Sequence, residues 1–399
     1  MQPGVGGSSA RAFLTVDGPD ALLEVGGMDP SIYLNQKVDN ETRISLNNGG
    51  CLKTSRLVPY ANAAKATVAH PIIMTFDGGI VRKQGKEHSP FIFQNPQAVE
   101  FAVYAGGAEF DTGDACAENV WDARCPLLGR VSGGVQSVDA SAAVAKGAWL
   151  GAPHVVIGGD GTGATAVADW DWKTRTLKGV RITSHGWGYT PEKVTVTVKT
   201  AMQSVTISNA SEQLITIGDN DIGGFTKSGS TLLTMNGTNS WQKWTAVNGG
   251  TLRAGSNGAI PPGTELRLNG GTIDLGHFDE DAERPVTFSG LAGTGGAVVN
   301  GAAKLKGEWL ISAQRFLDRE STTIDGTLDL STVTKIVITD AELLDEAASR
   351  LARLSLFSAT DVIWPATLAV EGVPAGWRTT RTATGLKLGF DKGLVLILR

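Results

Sequence analysis

The residues best suited to chemistry in this chain are aromatic. In "DWDW", Trp170 and Trp172 alternate with Asp169 and Asp171, so on a strand both rings face one way and both acids the other. "HGWGYT" repeats the spacing with Trp187 and Tyr189. Flat rings stack on sugar rings, and flanking carboxylates accept hydrogen bonds from hydroxyls, which is the chemistry of a glycan-binding platform. The same four rings also suit the core of a small β-module, which needs large side chains. Trp241 and Trp244 in "SWQKW" read as packing.

Acids are the second place to look. A polysaccharide lyase needs carboxylates for Ca²⁺ with a Lys or Arg base, and a glycoside hydrolase needs paired acids roughly 5–10 Å apart. "GDNDIGG" offers Asp219 and Asp221; "FDEDAER" offers Asp279, Glu280, Asp281 and Glu283. Asp, Asn and Gly together are also what a turn demands, and "FDEDAERP" reads as a solvated loop. His70, His88, His154, His185 and His277 are scattered, with no metal-ligand spacing, and no Gly-x-Ser-x-Gly elbow exposes a serine. No catalytic residue, metal site or cofactor is expected. Cys116 and Cys125 in "CAENVWDARC" are spaced either to close a small disulfide loop or to lie buried as separate thiols, with Cys51 left over.

The elements that must hold these residues are short strands. Of 399 residues 51 are glycine, and only 19% are charged, against roughly 25% in ordinary soluble domains. Such a composition disfavours helix bundles. A net charge of −5 without a basic stripe disfavours nucleic acid as a partner. No stretch approaches the roughly 20 apolar residues of a membrane-spanning helix. "MQPGVGGSSARAF" lacks the basic start and apolar core of an export signal.

Glycine doublets punctuate the chain at Gly49-Gly50, Gly78-Gly79, Gly106-Gly107, Gly249-Gly250 and Gly270-Gly271. The first three lie 29 and 28 residues apart and the last two 21. Each precedes a few residues of apolar/polar alternation, the mark of a half-buried strand. No helix follows them, so they do not cradle phosphate. Self-similarity at this period favours an all-β solenoid over an ordinary β-sandwich, with Leu252 and Ile273 equivalent and inward-facing in successive rungs. Four regions follow: coils over 1–125, a glycine-rich β insertion over 126–200, further coils over 201–338, and a cap over 339–399. In the cap, Leu343, Leu344, Ala347, Leu351 and Leu354 predict one helix across 339–357, followed by final buried strands.

The elements "GGFTKSGSTLLTMNGTNSW", "TAVNGGTLRAGS" and "LNGGTIDLG", in that order over 223–276, resemble the autotransporter-associated β-strand repeat, or passenger-associated transport repeat. "SWQKW" stands where that family has Tyr-x-Gly. Residues 151–195 resemble a glycine-rich module of large surface proteins of the same kind, opening on "GGDGTGATA" and closing on "GWGYT". The "VPAGW" turn at 373–377 fits their usual close. This resemblance implies a right-handed parallel β-helix and an adhesin-like passenger on or released from a bacterial cell. Its expected partners are glycans or molecules of a host or neighbouring surface. The alternative is a carbohydrate-active β-helix enzyme or glycan-binding module.

Overall fold

A computed structural model describes residues 11–26, 31–34, 41–59, 72–85, 90–93, 99–114, 116–147, 149–276, 286–314, 322–347 and 353–390. The acids of "FDEDAER" and three of the histidines, His70, His88 and His277, lie outside these residues. The chain is all-β, with mostly parallel pairing between strands distant in sequence, and it divides into two compact units. No helix among the described residues is long and apolar enough to cross a membrane.

The first unit comprises residues 1–82, 92–109 and 127–223. Its main sheet stacks Arg11–Asp17, Glu41–Asn47, Ile72–Asp77, Val99–Val103 and Leu127–Gly129, in that order. Every pairing is parallel, so one position on each strand lines up with one on the next. Leu14 lies beside Ile44, Ile44 beside Met74, Met74 beside Phe101, and Phe101 beside Leu127. Two residues on, Val16, Leu46, Phe76 and Val103 make a second such row. From Ile44 onward these side chains are buried, and burial at about 25 cal/mol per Å² of apolar surface is what holds strand to strand.

Glycine turns the chain at the sheet's edge. Gly49, Gly78 and Gly107 all have φ near +80°, which L side chains resist. They are hydrogen-bonded in series: Gly49 N–H donates to Gly78 O at 2.7 Å and Gly78 N–H to Gly107 O at 2.8 Å. The other glycine of each doublet has a different duty. A Cβ on Gly50, Gly79 or Gly106 would overlap the backbone of the neighbouring strand or turn.

The inserted module belongs to this unit. Gly134–Val138 pairs antiparallel with Ile215–Gly218 and closes it, so it runs past residue 200. Within it, His154–Gly158, Thr195–Lys199 and Ser204–Ser208 form one antiparallel sheet, and Thr165–Asp171 pairs with Thr176–Ser184 as a hairpin. A single turn of helix, Ser141–Ala145, buries Ala143 against them. Val135, Trp149, Ile157, Leu177, Tyr189 and Val196 are among the core residues.

The second unit comprises residues 83–91, 110–126 and 224–399. Its ladder runs Asn119, Leu233, Leu252, Ile273, Val298, Ile324 and Ala359, each beside the next on a parallel strand and all buried. Leu252 and Ile273 are thus direct partners, as the 21-residue interval predicts. Trp241 is buried 5.0 Å from Phe225, centroid to centroid. Trp244 lies against Gly224, with the Arg267 guanidinium 5.1 Å from its ring centroid.

The end of this unit departs from the expected helix over 339–357. Among the described residues, helix covers Glu342–Ala347, and Arg353–Ile363 is a strand. That strand pairs parallel with Thr322–Thr339 and antiparallel with Gly385–Phe390. Two ladders of backbone hydrogen bonds outweigh a helical stripe worth a few tenths of a kcal/mol per residue. Trp377–Thr382 and Gly385–Phe390 form the closing hairpin, with Leu386 and Leu388 buried. The apolar run "LVLIL" lies outside the described residues.

Candidate functional site

The module is seated on one row of the first sheet. Because side chains alternate along a strand, Ile44 and Leu46 face one side of Glu41–Asn47 while Arg43, Ser45 and Asn47 face the other. That second row meets the module. Asn47 Nδ2 donates to Thr183 O at 2.7 Å, and an Arg43 guanidinium N–H donates to Ala164 O. Buried hydroxyls continue the contact from Thr75 to Ser45 (3.2 Å), Thr165 (3.4 Å) and Thr183 (2.8 Å). At the row's end Arg181 pairs with Asp17, whose carboxyl is held below its usual range; burial opposes this, and hydrogen bonds from Asn48 and Arg181 outweigh it. Both faces of this strand are therefore covered, which explains the near-continuous burial along Glu41–Asn47.

The two ends of the glycine-rich motif meet at the root of the module. Thr162 and Trp187 exchange backbone hydrogen bonds, both at 2.9 Å. Asp160 accepts from Thr190 N–H (3.0 Å) and Oγ1 (2.9 Å), and these bonds lower its pKa. Tyr189 covers Gly161 and Trp187 covers Gly163 so closely that a Cβ on either glycine would overlap a ring atom. Tyr189 is buried in the module core, and the Arg130 guanidinium lies 4.8 Å from the Trp187 centroid. These two rings clasp the fold together.

The other two aromatics stand apart from that clasp, at the hairpin tip. A bulge between Asp169 and Trp170 shifts the register there. Trp170 packs against the module core, and Trp172 meets it edge-on with centroids 6.4 Å apart. Trp172 is 77% exposed. Beside it, Asp171 pairs with Lys178 at 3.0 Å and accepts from the N–H groups of Lys173 and Thr174. The Lys178 hydrogen bond, followed by these backbone bonds, brings the Asp171 pKa down to about 2. The open indole at the hairpin tip offers a flat apolar face for stacking. Of the four aromatics, Trp170 and Trp172 thus stay together at a surface, while Trp187 and Tyr189 serve the clasp.

Asp219 and Asp221 sit on a loop rather than a strand, exposed on either side of buried Asn220. Asn220 Nδ2 donates to Arg130 O and Gly186 O, both at 2.8 Å, so this "GDND" segment ties the module's exit to its entrance. Cys51, Cys116 and Cys125 are separate buried thiols. Cys116 donates to Glu118 O at 3.0 Å and Cys125 to Asp122 O at 3.3 Å, so Cys116 and Cys125 are not bridged. Burial, with Asp122 adding to it, pushes the Cys125 thiol up to about 12.

Lys227 is a site that pattern reading passes over. It lies beside Val247, itself beside Leu268, at a ladder position otherwise aliphatic, and it is fully buried. Its Nζ donates to Gly229 O (2.6 Å) and Gly249 O (2.8 Å), carbonyls at two successive turns. Burial lowers its pKa to about 8. The only hint in "GGFTKSGS" is a lysine in phase with Phe225. Comparison of the chain with protein-family profiles, with curated proteins and with solved structures gives no match.

Proposed function

We propose that the chain is a right-handed parallel β-helix working as an adhesin-like passenger. It is a rigid binding scaffold, secreted or held at a bacterial surface, without a catalytic centre of its own. Its binding surface is the module's hairpin tip, where Trp170 and Trp172 meet a glycan of a host or neighbouring cell.

One observation carries this reading: charged side chains on adjacent strands are paired with one another. Glu24 meets Lys53 at 2.8 Å, Arg253 meets Asp274 at 2.9 Å, Lys304 meets Asp329 at 2.9 Å, and Lys335 meets Glu308 at 3.2 Å. Each pair stands directly across a parallel ladder. Side-by-side neutralised pairs make a flat polar surface, whereas a lyase or hydrolase gathers several acids and a base on one groove. The exposed Trp172 then supplies the contact area that such a surface lacks.

A glycan array run beside reducing-sugar and unsaturated-uronate assays tests this. Retention of glycans by the wild-type chain, lost in Trp172→Ala without a change in melting temperature, is the expected result. Release of sugar product by the purified chain would overturn the scaffold reading in favour of a carbohydrate-active enzyme.

A further inference from the structure

A cleft of about 520 Å³ opens within the first unit, where the module overhangs the edge strand Arg11–Asp17. That volume falls inside the roughly 300–1,000 Å³ typical of small-molecule sites. Phe13 lies in the outward row of that strand, beside Arg43, and exposes 41% of its surface. The Arg43 guanidinium stands 5.3 Å from its ring centroid. Val156 and Val167, from the two module strands above, are half-buried members of the lining. His154 and Lys199, direct cross-strand partners, close the lining at one end of those strands.

The charges are uneven. Arg43 is already paired with Glu41. Among the described residues, neither Lys199 nor His154 has a side-chain hydrogen bond or ion pair, and no acid lines the cleft. An apolar chamber with an aromatic face and an unneutralised ammonium group is complementary to one kind of molecule. Its body is flat and apolar, to lie against Phe13 with ring centroids some 4.5–7 Å apart. Its end is a carboxylate, to accept from Lys199 Nζ and a His154 ring N–H.

We propose that this cleft is a binding site for small aromatic carboxylates. Phe13, Val156 and Val167 hold the ring, and Lys199 with His154 holds the carboxylate. The site is separate from the hairpin tip and takes a different class of ligand. Binding moves no bond and needs no cofactor.

The test is isothermal titration of the full chain with 2-naphthoate and, as the uncharged isostere, 2-naphthamide. A hydrogen bond to a charged partner is worth about 1.5–3 kcal/mol, so naphthoate should bind at least tenfold more tightly than naphthamide. Lys199→Gln keeps most of the stem; it should remove that difference and leave naphthamide binding unchanged. Val156→Trp, which fills the chamber, should abolish binding of both, and circular dichroism checks its folding. Phe13→Ala, on an exposed edge position, provides a second variant that weakens both ligands should Val156→Trp not fold. Equal binding of the two ligands, no binding of either to the wild type, or naphthoate binding indifferent to Lys199→Gln would each overturn the proposal.

Discussion

Lys227 gives the sharpest quantitative prediction. Its ordinary pKa of 10.5 falls to about 8 in the folded chain, because burial penalises the ammonium form more than Asp111 favours it. The unfolded chain therefore binds the proton more tightly, so stability rises with pH across that interval. At about 1.4 kcal/mol per pKa unit, the buried charge costs roughly 3 kcal/mol at pH 7, and nearly all of that cost is gone by pH 10.5. Lys227→Met removes the cost but also strips hydrogen bonds from Gly229 O and Gly249 O, worth about 1–3 kcal/mol each when buried acceptors go unmet. The two effects oppose each other at pH 7, so the absolute stability of the variant decides nothing. The pH slope does. Denaturant melts of both proteins from pH 7 to 10.5 should diverge, the wild type gaining about 3 kcal/mol on the variant, because other titrating groups cancel in the difference. Parallel curves would refute the reasoning and mean that Nζ reaches water in the folded state.

Gly250 has φ +58°, and a Cβ there would lie 2.5 Å from Lys227 Nζ and Thr231 O; Gly250→Val should cost about 2 kcal/mol or more in a urea melt. Gly271→Ala, whose Cβ would lie 2.5 Å from Val247 Cγ1, should be similarly destabilising and should leave ligand binding intact in whatever fraction folds. Asn47→Ala leaves the Thr183 carbonyl without its 2.7 Å donor; an expected loss of about 1–3 kcal/mol should show as faster hydrogen exchange in Thr176–Ser184. With its pKa raised to about 12, Cys125 stays a thiol at pH 8. Ellman's reagent should label no cysteine in the native chain and all three in denaturant, whereas a single label after denaturation without reductant would show that two of them are bridged.

Much of the architecture was legible because it repeats. Doublet glycines before alternating strands predict the turns, and the 21-residue interval predicts that Leu252 lies on Ile273. The helix over 339–357 failed for a physical reason: its stripe is real, but Arg353–Ile363 is claimed by two neighbouring strands that no local pattern announces. The aromatic spacing put Trp170 and Trp172 on one face of a strand; the two rings do meet, but Trp172 lies in the turn beyond the strand's end at Asp171. The spacing could not tell that Trp187 and Tyr189 each lie over a glycine, since that depends on residues 24 and 28 positions upstream. Lys227 and the cleft were illegible for the same reason. Both are made by segments that meet only in the folded unit, and neither leaves a periodic trace.

The clasp at the module's root has a consequence for how the tip can change. Gly161 and Tyr189 are mould and cast, as are Gly163 and Trp187, and adding one carbon to either glycine would require a smaller ring opposite it. These positions are bound to change in pairs. The residues from Trp170 to Thr176 answer to no such counterpart: beyond Trp170's packing and the Asp171–Lys178 pair, they face water. The hairpin can therefore be lengthened, shortened or respelled at its end while its root keeps the same handful of words. Such a division lets a fixed scaffold try new surfaces without having to learn to fold again.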